Sequence, residues 1–232
     1  MSPRAVSLVP SLTETLFALG AGEDVVGITD FCIFPENLDR PRLGGTKTPN
    51  IARIRELAPD VVYVNIEENL KKHADAIAGF AKVIATEPKT IADVIALIEM
   101  LGANHHRERE AKRMIDEVRT ASSEPRTPFT FAVPIWKKPW RWCGGDTYVS
   151  NLVETMGGRN VLREHHRYPS LSIEDVIVLD PDVIFLPDEP YAFTKDDRKE
   201  FDARVIGPFP GHLFTWHGVR TIAGLRFLRR VL

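Results

Sequence analysis

Aromatic and basic side chains crowd one short stretch of this chain. Residues 134–148 read PIWKKPWRWCGGDTY and hold Trp136, Trp140 and Trp142, three of the four tryptophans. Indole rings offer large, rigid faces at low entropic cost, suited to stacking on a flat macrocycle or covering its edge. The competing role is core packing, and alternation along a strand would send Trp140 and Trp142 to one face. The fourth tryptophan, Trp216, stands in Thr215-Trp216-His217-Gly218-Val219-Arg220. There His217 offers an imidazole that could serve as an axial ligand to a metal carried by a bound molecule. Arg220 offers a fork for a carboxylate or phosphate, or is an ordinary surface arginine near a helix start. Carboxylates cluster in Glu67-Glu68-Asn69 and in Asp188-Glu189-Pro190-Tyr191. Glu68 and Asp188 can accept hydrogen bonds from a ligand's amides or hold a cation, or they are merely solvated; Tyr191, Phe31 and Tyr168 are further candidates for the walls of a site. The adjacent pairs His105-His106 and His165-His166 point in different directions on any regular element and make no ready chelate. The motifs H-E-x-x-H, G-x-S-x-G, G-x-x-x-x-G-K and G-x-G-x-x-G do not occur, which argues against common hydrolases and nucleotide enzymes. These residue types suit capture of a small molecule rather than turnover, with no resident cofactor.

Such residues need elements to position them. Ala5 to Val9 is a short apolar run that predicts a buried strand, and Ser11-Leu12-Thr13-Glu14 has capping-box spacing for a helix stopping at Gly20. A second strand near Val25 to Ile28 leads into an irregular stretch from Phe31 to Pro49. From Asn50 the chain reads NIARIRELAPDVVYVNIEE, and from Ser172 SIEDVIVLDPDVIFLPDEP. Aligned without gaps, Asn50 meets Ser172 at a helix N-cap, and Leu57-Ala58-Pro59-Asp60-Val61 meets Leu179-Asp180-Pro181-Asp182-Val183. The repeat predicts a duplicated lobe whose acidic loops follow the carboxyl ends of strands, where open α/β sheets place ligands. Helix formers from about Asn104 to Ala121, with Ala111, Met114, Ile115 and Val118 at helical spacing, predict one long helix that Glu124-Pro125 ends. The expected organisation is an N-terminal lobe over residues 1–103, a connecting helix over 104–124 and a C-terminal lobe over 125–232, with the ligand in a cleft between lobes.

Composition narrows the partners. A chain of 232 residues can bury one sizeable core or two modest ones. The formal charge of −2 provides no long-range field favouring nucleic acid or anionic membranes. No apolar run approaches the roughly 20 residues that span a bilayer. Cys32 and Cys143 are too few for a disulfide framework and are not a close-spaced metal pair, leaving a single disulfide between them as the alternative to free thiols. The start, Met1-Ser2-Pro3-Arg4, shows no secretion signal. A soluble monomer is expected, cytoplasmic or already stripped of an export signal.

Ala5-Val6-Ser7-Leu8-Val9-Pro10-Ser11, Thr13-Glu14, Gly20-Ala21-Gly22, Val25-Val26-Gly27 and both L-x-P-D-V units resemble, in order and spacing, the helical-backbone (class III) periplasmic binding proteins. These serve ABC importers of cobalamin, iron-siderophores and haem, and the Trp-rich second lobe is most similar to the cobalamin-binding branch. The resemblance implies an α/β fold of two lobes with mainly parallel sheets flanked by helices, joined by one long backbone helix. It implies a non-enzymatic protein that captures a corrinoid such as cobalamin, or a related metal chelate, for ABC-type import outside the cytoplasm. The alternatives are a cytoplasmic binder working without a transporter and an enzyme built on the same cleft. Family members carry a glutamate on each lobe that pairs with permease arginines; Glu174 matches one such position and Ala52 departs from the other.

Overall fold

The computed structural model describes residues 2–123 and 127–232. The chain divides into two compact units. The N-terminal unit comprises residues up to Pro88, Asp93–Glu117 and His217–Arg220; the C-terminal unit comprises Lys89–Ala92, Val118–Trp216 and Thr221–Leu232. The division therefore falls at Glu117, inside the stretch expected to form the connecting helix. Glu124-Pro125, read as the end of that helix, lies outside the described residues.

In the N-terminal unit, the buried run Ala5-Val6-Ser7 is strand β1 (Ala5–Ser7), followed by helix α1 (Pro10–Ala18). The helix starts one residue before the expected Ser11 cap. Pro10 already has the φ of a first helical residue and no N–H to satisfy, so Val9 serves as N-cap without a side-chain bond. Gly20, at φ +77°, takes the left-handed conformation that ends the helix. Strand β2 (Val25–Ile28), the short antiparallel pair β3 (Gly44–Gly45) and β4 (Thr48–Pro49), helix α2 (Ile51–Glu56), strand β5 (Val61–Asn65), helix α3 (Lys71–Ala78) and strand β6 (Lys82–Thr86) follow. The main sheet is parallel throughout, in the order β2-β1-β5-β6. Val6, Leu8, Leu43, Ile54, Val62, Val64 and Ile77 form a core under α2 and α3.

Where the periodicity predicts one helix from Asn104, the structure has two, α4 (Ile91–Asn104) and α5 (Glu108–Ser122). The break has a cause in His105, which is completely buried and placed between Tyr63 and Asp24. His106 adopts φ +55°, and the Arg107 amide turns back to the Gly102 carbonyl at 2.7 Å.

The C-terminal unit holds strand β7 (Phe129–Ala132), the hairpin β8 (Pro134–Trp136) and β9 (Arg141–Trp142), helix α6 (Tyr148–Glu154), strand β10 (Gly158–Asn160), helix α7 (Ile173–Ile177), strands β11 (Val183–Pro187) and β12 (Val205–Phe209), and helices α8 (His212–Thr215) and α9 (Arg220–Val231). Its sheet is also all parallel, in the order β10-β7-β11-β12. Position by position this repeats the first sheet, as the paired sequence segments require. Asn50 and Ser172 both cap their helices by accepting an amide three residues on. Asp60 accepts the Arg4 amide at 2.8 Å, and its repeat mate Asp182 accepts the Thr130 amide at 2.6 Å. Each L-x-P-D turn thus fastens its strand to the start of the neighbouring one.

Candidate ligand-binding site

In the N-terminal unit, loops leave the carboxyl ends of β2 and β5 with apolar side chains turned outward. Phe31 is 59% exposed, Ile33 and Ile66 are each 56% exposed, and Leu70 is 38% exposed. This patch of four side chains, on loops at one end of a parallel sheet, offers apolar surface of the kind a bound molecule can cover. Its frame is rigid. Asn69 donates to the Leu8 and Thr46 carbonyls at 3.1 and 3.0 Å and accepts the Asn65 amide at 2.7 Å. Lys47 Nζ donates to the Glu67 carbonyl, which ties the β3–β4 turn to the β5 loop. Of the expected residues, Phe31 lies in this patch, and Glu68 stands half-buried beside it with its amide on Asn65 Oδ1. Ile33, Ile66 and Leu70 were not singled out from sequence. An isoleucine directly after a strand and before Glu67-Glu68 is the signal that could have found Ile66.

In the C-terminal unit the carboxyl-end loops carry aromatic rings in graded exposure. Trp136 is 43% exposed and meets the half-buried Tyr191 edge-on at 5.5 Å; Tyr191 in turn packs on Phe193 at 4.7 Å. Trp140 is held between Trp142 and Phe193, nearly parallel to both. The loop after β11 is pinned to the hairpin by Lys137, which donates to Asp197 at 2.6 Å and to Glu200. Burial pulls the Asp197 carboxyl upward, but the bonds from Lys137 and Thr194 outweigh it and leave its pKa at about 2. Trp216 caps α8 with its ring 5.8 Å from that of His212, half-buried. Tyr168 is half-buried below the Arg167 guanidinium at 5.8 Å.

Several expected site residues turn out to be structural. Trp142 is fully buried in the core with Ala132, Leu162, Ile184 and Leu186, and its indole N–H donates to the Leu171 carbonyl at 3.0 Å, so no face is left for a ligand. Asp188, by contrast, is exposed; one oxygen of its carboxylate accepts the Gly211 amide at 2.7 Å at the start of α8 and the carboxylate stays open to solvent. Arg220 is neither exposed nor a fork aimed at solvent: it forms a bidentate pair with Glu14 and lies 4.1 Å over the Phe34 ring. His217 is 5% exposed with Nε2 3.5 Å from Ser11 Oγ, and burial pushes its pKa down to about 4. That is a packing environment rather than one for an axial ligand. Gly218 completes this strap. At φ +80° it passes so close to Thr15 that a Cβ would lie 2.1 Å from Oγ1, while the Val219 amide donates to that same oxygen. Cys32 and Cys143 are both buried and are not joined in a disulfide. Among the described residues no group of three or more His, Cys, Asp or Glu could hold a metal ion, and no helix is long and apolar enough to cross a membrane.

Two repeated α/β units whose parallel sheets carry apolar and aromatic loops at their carboxyl ends define a binding-protein architecture. The periplasmic binding protein family model matches residues 6–207, and the chain belongs to that family. Among relatives, an uncharacterized ABC transporter substrate-binding lipoprotein of Bacillus subtilis is 25% identical, with 97% of this chain and 78% of the relative aligned. A vitamin B12-binding protein of Vibrio cholerae is 26% identical over 78% of this chain and 69% of its own length. Solved structures share the fold. A periplasmic vitamin B12 binding protein of V. cholerae matches with a TM-score of 0.78 at 20% identity, covering 97% of this chain and 95% of that one. A periplasmic haem-binding protein of the same organism matches with a TM-score of 0.83 at 17% identity, covering 98% of each. As a member of the periplasmic binding protein family the chain is a binding protein rather than an enzyme.

Proposed function

We propose that this protein captures a corrinoid such as cobalamin, or a related metal chelate of the haem or iron-siderophore kind, outside the cytoplasm and delivers it to an ABC permease. The observation that carries the reading is the outward-facing apolar patch Phe31, Ile33, Ile66 and Leu70 at the carboxyl end of a parallel sheet. A large, mainly apolar ligand would cover it. In the C-terminal unit Trp136, Tyr191, Trp216 and Tyr168 supply ring faces and edges; Glu68 of the N-terminal unit and Asp188 of the C-terminal unit are acceptors for amide N–H groups. Relatives named as vitamin B12-binding proteins and neighbours named as haem-binding proteins support this ligand class.

Glu174, exposed in the first turn of α7, is proposed as a contact to a basic residue of the permease; α2 offers Ala52 at the equivalent position. The test is a tryptophan-fluorescence titration of the purified chain with cyanocobalamin, cobinamide, haem and ferric siderophores, corrected for inner-filter absorption. Saturable quenching by one of them at micromolar or lower concentration is the expected result. A flat response to all of them would overturn the ligand class.

A further inference from the structure

Two segments of the C-terminal unit, 141–145 at the end of the β8–β9 hairpin and 165–170 after β10, are joined by main-chain hydrogen bonds. The Trp142 amide donates to Pro169, Gly144 to Arg167 and Gly145 to His165, at 3.1, 2.8 and 3.0 Å, and Arg141 pairs with Ser170 as an antiparallel bridge. The approach is close enough to demand the two glycines: a Cβ on Gly144 would lie 2.3 Å from the His165 carbonyl oxygen, and one on Gly145 2.2 Å from that of Arg163. Arg141 also donates to the Tyr168 carbonyl.

This framework gathers Lys138, Arg141, Arg163 and Arg167, all exposed, together with the exposed His165 and His166. Over residues 138–146 and 163–170 the carboxylates are Glu164, which pairs with Arg163 Nε at 3.2 Å, and Asp146, so the four cations leave a net of +2 in a chain whose net is −2. Asp146 is occupied by the Arg167 amide at 2.5 Å and by His166 Nδ1 at 3.5 Å. The charge is not a property of the fold, because the loop after β2, the strand of the N-terminal unit that corresponds to β10, sets Asp30, Glu36 and Asp39 beside Arg40 and Arg42 and carries no net positive charge. Folding brings these cations together against their mutual repulsion, and the position at the carboxyl ends of β7 and β10 is where a parallel sheet presents residues to a ligand.

We propose that this strip binds anionic oxygens, carboxylate or phosphate, on one edge of the ligand. The inference rests on the chelate-binding reading above and narrows it to chelates that carry such groups. Guanidinium forks pair with carboxylate and phosphate oxygens, and the open rim lets an ionised ligand edge keep part of its hydration.

Matched pairs of probes test it: haem against its dimethyl ester, ferric citrate against a neutral ferric trihydroxamate, and cyanocobalamin, which carries a phosphodiester, against cobinamide, which lacks it. Dissociation constants are measured on the full chain at roughly 50 mM and roughly 500 mM salt, a range over which screening of exposed charges rises steeply. The expected result is that the anionic member of the pair that binds does so at least tenfold more tightly, with a gap that narrows in high salt. In Arg141→Glu/Arg163→Glu, and separately in Lys138→Glu, the gap closes while the neutral member keeps its affinity and circular dichroism is unchanged. The pair in which the gap appears tells carboxylate from phosphate. Equal affinities within every binding pair, or a gap that survives charge reversal, overturn the anionic edge and leave the chelate reading intact. No binding by any probe overturns both.

Discussion

Trp216 and His217 are sequence neighbours with opposite circumstances, and each supports its own prediction. Trp216 is half-buried at the end of α8, able to give a ring edge to a ligand. Truncating it in Trp216→Ala is expected to weaken the ligand found by titration at least tenfold, about 1.4 kcal/mol or more, as for an aromatic hot spot. Unchanged affinity with unchanged folding would remove it from the site. His217 is buried and titrates at about 4, below the roughly 6.5 of an unfolded-chain histidine. The unfolded chain therefore takes up the proton first. The neutral ring's contribution is fully present above about pH 6.5 and is lost as pH falls towards 4. Urea midpoints measured between about pH 7 and about pH 4.5 should decline in the wild type and decline less steeply in His217→Asn. Identical slopes would show that another group governs the acid limb.

At the scale of elements, the α4–α5 joint is a hydrogen-bonded chain of side chains. Asn104 Nδ2 donates to Tyr63 Oη at 3.3 Å, Tyr63 Oη donates to His105 Nε2 at 3.0 Å, and His105 Nδ1 donates to Asp24 Oδ2 at 2.8 Å. These directions follow from satisfying every polar atom with a neutral imidazole, which assigns the Nδ1–H tautomer. Burial keeps Tyr63 a phenol, with its pKa pushed up to about 12. Tyr63→Phe would leave His105 Nε2 buried without a donor, a loss of about 1–3 kcal/mol in denaturant unfolding. If the loss is near zero, the joint is held by packing alone. The C-terminal loops are set up differently. There the Lys137–Asp197 pair and the Trp140–Phe193 stack fasten the segment after β11 to the β8–β9 hairpin, and Trp136 meets Tyr191 across that junction.

For the molecule as a whole, family membership and architecture make a statement about energy as well as role. A binding protein whose ligand attaches only to the native chain is stabilised by RT ln(1 + [L]/Kd), about 2.7 kcal/mol at a hundredfold excess over Kd. The ligand that saturates the fluorescence signal should therefore raise the thermal midpoint progressively with concentration, including beyond stoichiometric saturation. A midpoint that stops rising at one equivalent would mean that binding survives unfolding.

Much of this architecture is local and was legible before any fold was known. The two L-x-P-D-V turns, the Asn50 and Ser172 caps and the stop at Gly20 depend on residues within a few positions of one another, so residue order alone determined the repeated α/β units and, through them, the family. The apolar patch and the role of each aromatic depended on tertiary structure, because burial is set by residues distant in sequence. Trp142 and Trp136 look equivalent in PIWKKPWRWCGGDTY, yet one is sealed under Leu162 and Ile184 and the other is 43% exposed. Arg220 reads as a ligand fork until α1 brings Glu14 to it across 206 residues of chain. His105 looks like part of a helix until Asp24 and Tyr63 draw it inward. Local hydrogen bonding and turn chemistry are encoded over a few residues, whereas which polar or aromatic face remains available to a ligand is decided only when distant segments have taken their partners.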